Sequence, residues 1–267
     1  MRVTEKFKVR KVTVDPNISS ILEEEVAVEA PVRIHLNNMR IATLMASPTM
    51  LRELAVGYIF SEGILNDRGV VEKVTVEGYD VHLWLKEDVK ADLVDLEKAG
   101  WGTVITSACG STSDYVNNMF RYGEVSSTYS ISAEEIVRMV SELNFNSKTF
   151  KVTGGLHSAA IFEDGVMASF SEDVGRHNAV DKVIGSSILK NVRFDRSILV
   201  TSGRQTGEMV AKAVRMGIPL SVSVSAPTHS GIKIAEERGL TLICFARGKR
   251  FNIYTRPERV RLNKHKY

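Results

Sequence analysis

Ser197 to Thr228 reads SILVTSGRQTGEMVAKAVRMGIPLSVSVSAPT, and its punctuation decides the fold class. Ser197 to Gly203 is a short apolar run closed by glycine, the pattern of a buried strand. QTGEMVAKAVRMG has helical spacing and stops at Gly217, and PLSVSVSA alternates as a second strand. A further helix from Thr228 to Arg238, ending at Gly239, and strands in LTLICFA and RFNIYT continue the alternation. Strands alternating with helices imply a mixed sheet with parallel neighbours joined by right-handed crossovers. Upstream, Leu156 to Phe162 and Val166 to Phe170 read as strands joined through Glu163-Asp164-Gly165, and Asp173 to Leu189 as a helix turning Val180, Val183, Ile184 and Ile188 inward. Ser132 with Glu135 three residues on is a capping box, ahead of a face made by Ile136, Val137, Met139, Val140 and Leu143.

The first half of the chain has a different rhythm. Val9 to Val14 and Glu25 to Leu36 alternate as strands, Asn37-Asn38 supplies a turn, and Met39 to Met45 reads as the returning arm. Thr49 is the expected N-cap of a helix over LRELAVGYIFSEGIL that ends near Gly63. VEKVTVEGY and VHLWLK form another hairpin about Gly78, with His82 on an outward, solvated position. Leu93 to Gly102 reads as a short helix or as irregular structure. GEVSSTYS, Gly123 to Ser130, carries little periodicity and marks a boundary. The reading is therefore α/β, or α+β over the whole chain. Residues 1–125 form a smaller β-rich N-terminal domain and residues 126–267 a domain built on a mixed sheet flanked by helices.

The 267 residues, 43% hydrophobic and 25% charged, suffice for a substantial core. No apolar stretch approaches the ~20 residues that cross a bilayer, and MRVTEKFKVRKVTVD is charged where a signal peptide is apolar. A cytoplasmic protein without membrane attachment is expected. Charge is uneven: from Arg247 to Tyr267, eight Lys/Arg against one Glu leave +7, so the preceding 246 residues carry −4 of the overall +3. Such a segment is either a solvated tail or a phosphate-binding arm for a nucleotide, a nucleotide-bearing cofactor or nucleic acid.

There are two cysteines. Cys244 lies in the apolar strand TLICFAR, where a thiol is inert. Cys109 lies in TSACGSTSD, Thr106 to Asp114, where Gly110 allows a sharp turn that presents the sulfur; it is either the reagent or an ordinary loop thiol. Ligands on such sheets sit beyond the carboxyl ends of the strands. Here those edges are SEDVGRHN, TSGRQTGE and SAPTHSG, three polar segments expected to converge on one crevice. Helix N-termini there, with Arg176 and Arg204, suit a phosphate; the alternative is that the glycines serve tight turns and the arginines are surface charges. Neither GxGxxG nor GxxxxGK[ST] occurs, so the usual Rossmann and Walker sites are absent. His177, near Asp173 and Arg176, is a candidate acid, base or hydrogen-bonding support, and His157 a more structural one.

Hairpin, helix, strand, helix is also the order of a cytidine-deaminase-like sheet. Zinc deaminases place ligands at two successive helix N-termini through H-x-E and P-C-x-x-C. This chain has RHNA and GRQTGEM there, without the cysteine pair, so neither bound zinc nor hydrolytic deamination is expected.

Several motifs together resemble the FdhD proteins, accessory sulfurtransferases for formate dehydrogenase. They are LRELAVGYIFSEGIL, the TSACG loop, TGGLHSAA, SEDVGRHNAVDK, SGRQTGEMVAKAVRMGIPLSVSVSAPT and GLTLICFARGKRFNIYT. The resemblance implies a fold similar to that of cytidine deaminases without their zinc. It implies a protein that carries sulfur as a cysteine persulfide from a cysteine desulfurase to the bis(molybdopterin guanine dinucleotide) molybdenum cofactor. It also implies Cys109 as the persulfide carrier and Phe245, Ala246, Arg247, Gly248, Lys249 and Arg250 as cofactor-binding, beside Arg176, His177 and Arg204 in the crevice. GDP is then a partial mimic of the cofactor. The implied partners are the desulfurase and formate dehydrogenase, with a homodimer as the default assembly and no nucleic acid. One departure stands out: the family's C-G-x-C is here Cys109-Gly110-Ser111-Thr112, leaving one thiol in the loop. Alternatives from other classes are a cofactor-binding chaperone that moves no sulfur and a nucleotide-binding regulatory module.

Overall fold

A computed structural model describes residues 1–87, 104–105 and 123–262. Strands β1 (Thr4–Thr13) and β2 (Ile18–Ala27) form a two-stranded hairpin, so the single strand expected from Glu25 to Leu36 is two strands broken at residues 28–29. Next come β3 (Ala30–Leu36), β4 (Met39–Ala46), α1 (Leu51–Ser61), β5 (Val71–Glu77), β6 (Asp80–Leu85) and β7 (Val104–Ile105). They make a five-stranded sheet in the order β5-β6-β3-β4-β7. The second half runs β8 (Ile131–Ser132), α2 (Ala133–Asn146), α3 (Lys148–Thr153), β9 (His157–Glu163), β10 (Val166–Asp173) and α4 (Arg176–Leu189). It continues through β11 (Ser197–Thr201), α5 (Gly207–Arg215), β12 (Leu220–Ser223), α6 (His229–Glu237), β13 (Thr241–Arg247), β14 (Arg250–Ile253) and β15 (Val260–Arg261). Its six-stranded sheet has the order β10-β9-β11-β12-β13-β14; β11, β12 and β13 are parallel and the other pairs antiparallel, the mixed sheet that the alternation required.

Two apolar clusters sandwich that sheet. On one face, α2 lays Ile136, Met139, Val140 and Leu143 against Phe162, Ile198, Val200, Val222 and Ile243. Ser132 accepts from Glu135 N and Glu135 answers the Ser132 backbone, so the capping box fixes where α2 begins. On the other face lie α4, α5 and α6, then α1, then the five-stranded sheet, all contributing to one continuous cluster. A division near residue 125 separates the two sheets along the chain, while this shared cluster packs one half on the other.

The closest approach is between α1 and α4. A Cβ at Gly57 would lie 1.8 Å from the Asp181 carbonyl oxygen, and one at Gly185 would lie 1.9 Å from that of Glu53. Only glycine permits helix backbones to touch in this way. Thr49 does not cap α1: Met50 does, with φ 52° and no side-chain hydrogen bond, because the Thr49 hydroxyl lies 3.5 Å from the buried Lys182 ammonium. Helix α4 likewise starts three residues later than its sequence suggests, since Asp173 pairs with His157 as the last residue of β10. Among the described residues no helix is long and apolar enough to cross a membrane.

Candidate functional site at one edge of the mixed sheet

Strands β10, β11, β12 and β13 all end at the same edge, where β9 begins with His157. The segments after them converge. Ser202 N donates to Ser158 O, Gln205 N to Ala226 O, Thr228 N to Gln205 O, and Phe245 N to Ser225 O. Gln205 is fully buried; its side chain donates to Gly203 O and accepts from the Ser221 hydroxyl, which fixes the turn into α5. Gly203 is required by a neighbour: a Cβ there would stand 2.8 Å from Arg176 Cβ. Arg176 therefore crosses directly over the TSGRQ turn, and the two arginines singled out in the sequence flank one crevice.

The N-termini of α4 and α5 open into it. His177 and Glu208, each in the first turn of its helix, bring Nε2 and Oε2 to 3.0 Å, an ion pair when the ring is protonated, although the approach lacks hydrogen-bond geometry. The sequence placed His177 beside Asp173 and Arg176; its carboxylate neighbour is instead Glu208 of the next helix. His157 Nδ1 lies 3.2 Å from the Ser202 hydroxyl, which accepts from Ser158 N. Burial, and then the charges of Arg176 and His177, hold the His157 imidazole below its ordinary pKa. Two cations, two imidazoles and two positive helix ends, tempered by one carboxylate, make a surface that favours an anion and can exchange a proton with it.

Beneath the crevice, buried ion pairs hold the helices. Asp173 accepts from Gly175 N at 2.8 Å, Asn178 Nδ2 at 3.1 Å, Ser47 N at 3.0 Å and Lys182 Nζ at 2.5 Å; Lys182 also donates to Ser47 O. Burial pushes Lys182 down from its ordinary pKa, against the pull of Asp173. Lys212 of α5 donates to Asp181 of α4, to Glu62 and to the Ser61 hydroxyl. Lysine, aspartate and serine here are buried, so α1, α4 and α5 are tied through charge as well as through Gly57 and Gly185. The sequence reading missed both lysines, because each sits where a helical pattern admits a solvated side chain.

Farther along the edge, Phe245 interrupts β13 with φ 55° at a register shift against β14 and stays 38% exposed. A left-handed aromatic residue is strained, and this strain holds a ring in solvent beside Ser225. Arg247 Nε donates to Val224 O, and Gly248, with φ 59°, turns the chain so that Arg247, Lys249 and Arg250 are all exposed. Ala246 points the other way into the α2 cluster, leaving only its backbone for a ligand. Cys244 is fully buried, and burial pushes its thiol up to about 12. Cys109 lies outside the described residues. His82, read as solvated, is stacked between His35 at 4.3 Å and Trp84 at 5.9 Å, and its Nδ1 is buried.

The model of the FdhD/NarQ family matches residues 27–261, a span that includes both sheets and the whole edge. The chain belongs to the FdhD/NarQ family. Its relatives include the sulfur carrier protein FdhD of Sulfolobus acidocaldarius, 38% identical over 260 residues, which cover 96% of this chain and 98% of that one. The protein of the same name from Mycobacterium bovis is 35% identical over 269 residues, covering 95% and 97%. A crystal structure of a candidate formate dehydrogenase accessory protein from Desulfotalea psychrophila superposes with a TM-score of 0.80 at 26% identity, over 97% of this chain and 100% of that one. Within the FdhD/NarQ family, then, the mixed α/β architecture is shared along nearly the full length.

Proposed function

We propose that this protein is a sulfur carrier for formate dehydrogenase, in which Cys109 receives sulfur from a cysteine desulfurase and passes it to the bis(molybdopterin guanine dinucleotide) molybdenum cofactor, its bound substrate. The relatives' shared description as sulfur carriers supports the first part. One structural observation carries the second: cations, helix N-termini and an exposed aromatic ring line a single sheet edge, from Arg176 and Arg204 to Phe245 and Arg250. Pyrophosphates suit the α4 and α5 ends with Arg176 and Arg204, and a guanine suits the Phe245 ring, with Arg247, Lys249 and Arg250 beside it.

Sulfur uptake needs a single thiol. The Cys109 thiolate attacks the outer sulfur of the donor's persulfide, the donor's S–S bond breaks as the new one forms, and the donor leaves as a thiolate. Uptake moves sulfane sulfur from one thiolate to another with no net oxidation or reduction, so Thr112 in place of a second loop cysteine is compatible with loading of Cys109. The partners on this reading are the desulfurase and formate dehydrogenase, and the work is done in the cytoplasm.

Calorimetry with GDP tests the edge. GDP should bind, more weakly as salt screens the charges. Arg204→Ala, and separately Arg247→Ala with Arg250→Ala, should each weaken binding by roughly 1.5–3 kcal/mol per lost charge-assisted contact. Unchanged affinity in both variants would place the nucleotide elsewhere.

A further inference from the structure

Strand β5 is an edge of the five-stranded sheet, and among the described residues no strand pairs with its outer side. Its apolar side chains outrun their cover. Val74 and Val76 pair with Leu83 and Val81, both fully buried, yet Val76 is 43% exposed. The buried face of the sheet thus runs past β6 into a cleft of about 270 Å³ between β5, one side of α1 and the end of α4. Val56 and Phe60 of α1 and Ile188 of α4 make its apolar wall, and Leu189 beside them is 38% exposed. The rim is cationic, with Arg52, Arg68 and Lys73 against one lining carboxylate, Glu72. Arg52 stands one turn before Val56 on the same side of α1; it and Lys73 are exposed, and Arg68 lies over the Phe194 ring at 4.7 Å. Among the described residues no carboxylate forms an ion pair with any of the three cations. The pairing of β5 slips between Val71 and Lys73, a bulge of the kind that guards an edge against indiscriminate pairing.

We propose that this edge is a docking site for an extended acidic segment of a partner protein, added to the sheet beside β5. Alternate side chains of such a strand point to opposite faces. Its apolar ones cover Val74, Val76 and the cleft, while its backbone takes up the N–H and C=O groups on the outer side of β5. Charge complementarity selects the occupant. The bulge and Lys73 ward off a purely apolar strand, whereas carboxylates turn Arg52, Arg68 and Lys73 into an attraction. The crevice stays open meanwhile, because Arg176 and Leu189 are opposite ends of α4, about 20 Å apart along the helix. This docking site stands independently of sulfur carriage.

Fluorescence polarisation of a labelled EVDVEVD peptide against the full chain decides it. The wild type should bind with a Kd on the order of 100 µM, weakening as salt is added, and should ignore a KVKVKVK peptide. Arg52→Glu with Lys73→Glu in one chain should raise the Kd by about tenfold or more. Methylating alternate backbone nitrogens of the peptide tests the strand pairing on unaltered protein. One phase should abolish binding and the other leave it, because only every second N–H of an edge strand faces its neighbour. Hydrogen exchange should slow over Val71–Glu77 when the peptide is bound. No binding, two methylated phases that behave alike, or a peptide lost only when Arg247 and Arg250 are replaced would overturn the proposal. So would protection of β5 that rises with protein concentration alone, which would put a second copy there.

Discussion

Replacing Lys212 by methionine should lower the unfolding free energy by about 3–5 kcal/mol at neutral pH, because it strands the buried Asp181 carboxylate without its cation. Lys212 is 2% exposed and bridges Asp181 and Glu62, so no water takes its place without opening the junction of α1, α4 and α5. In the wild type, Asp181 and Glu62 hold Lys212 above its ordinary pKa despite burial, so the contribution is complete at neutral pH and lost only as pH rises past the usual lysine range. In the variant the sign reverses. Asp181, already pushed up by burial, loses the ammonium that opposed that shift, whereas Glu62 keeps Arg215 beside it. The folded-state pKa of Asp181 then stands further above the unfolded one, so the penalty should shrink as pH falls and this carboxyl takes up a proton. Urea denaturation of the two proteins at pH 7 and pH 5 reads this directly. Adding Asp181→Leu to Lys212→Met should recover part of the loss, as removing a charge with its partner costs less than removing the partner alone. A penalty equal at both pH values would mean that lost packing, not stranded charge, is responsible.

Gly57→Ala should be nearly as damaging for an unrelated reason. A methyl group at 1.8 Å from the Asp181 carbonyl cannot be accommodated by rotating a side chain, since both partners are backbone. The helices must separate, and overpacking of this kind costs about 3 kcal/mol. Because α1 carries the five-stranded sheet and α4 carries Arg176 and His177, separation should also weaken GDP binding without touching the crevice. Gly123→Ala is the control: nothing lies within 4 Å of a Cβ there, and a change below about 0.5 kcal/mol is expected. Equal melting temperatures for the two variants would contradict the close-contact account.

Elements written locally were legible from the sequence. The capping box at Ser132 and Glu135, the Glu163-Asp164-Gly165 turn and the strand–helix alternation after Ser197 depend on neighbours in the chain, and the structure has each of them. Boundaries set by tertiary partners were not legible. Asp173 has good helix-start chemistry, but Lys182, Asn178 and Ser47 claim its carboxylate at the end of a strand. Thr49 has good capping chemistry and faces a buried lysine instead. At the site, the convergence of three strand-end segments followed from topology alone, and so did the meeting of Arg176 with the TSGRQ turn. The His177–Glu208 pair did not, because it joins the first turns of two helices whose relative placement no local pattern encodes. The left-handed Phe245 was equally hidden, since nothing in FARGKR announces a bulge.

The central claim is that Cys109 carries sulfur by itself. Intact-protein mass spectrometry after incubation with a cysteine desulfurase and cysteine tests it most directly. The wild type should gain the mass of one sulfur atom, mapped to the Cys109 peptide and removed by a reductant. Cys109→Ser should gain nothing, and Cys244→Ser should load as the wild type does, since a fully buried thiol held as the neutral acid is no nucleophile. An unmodified Cys109 in a protein that still binds GDP would contradict sulfur carriage and leave a cofactor-binding chaperone in its place.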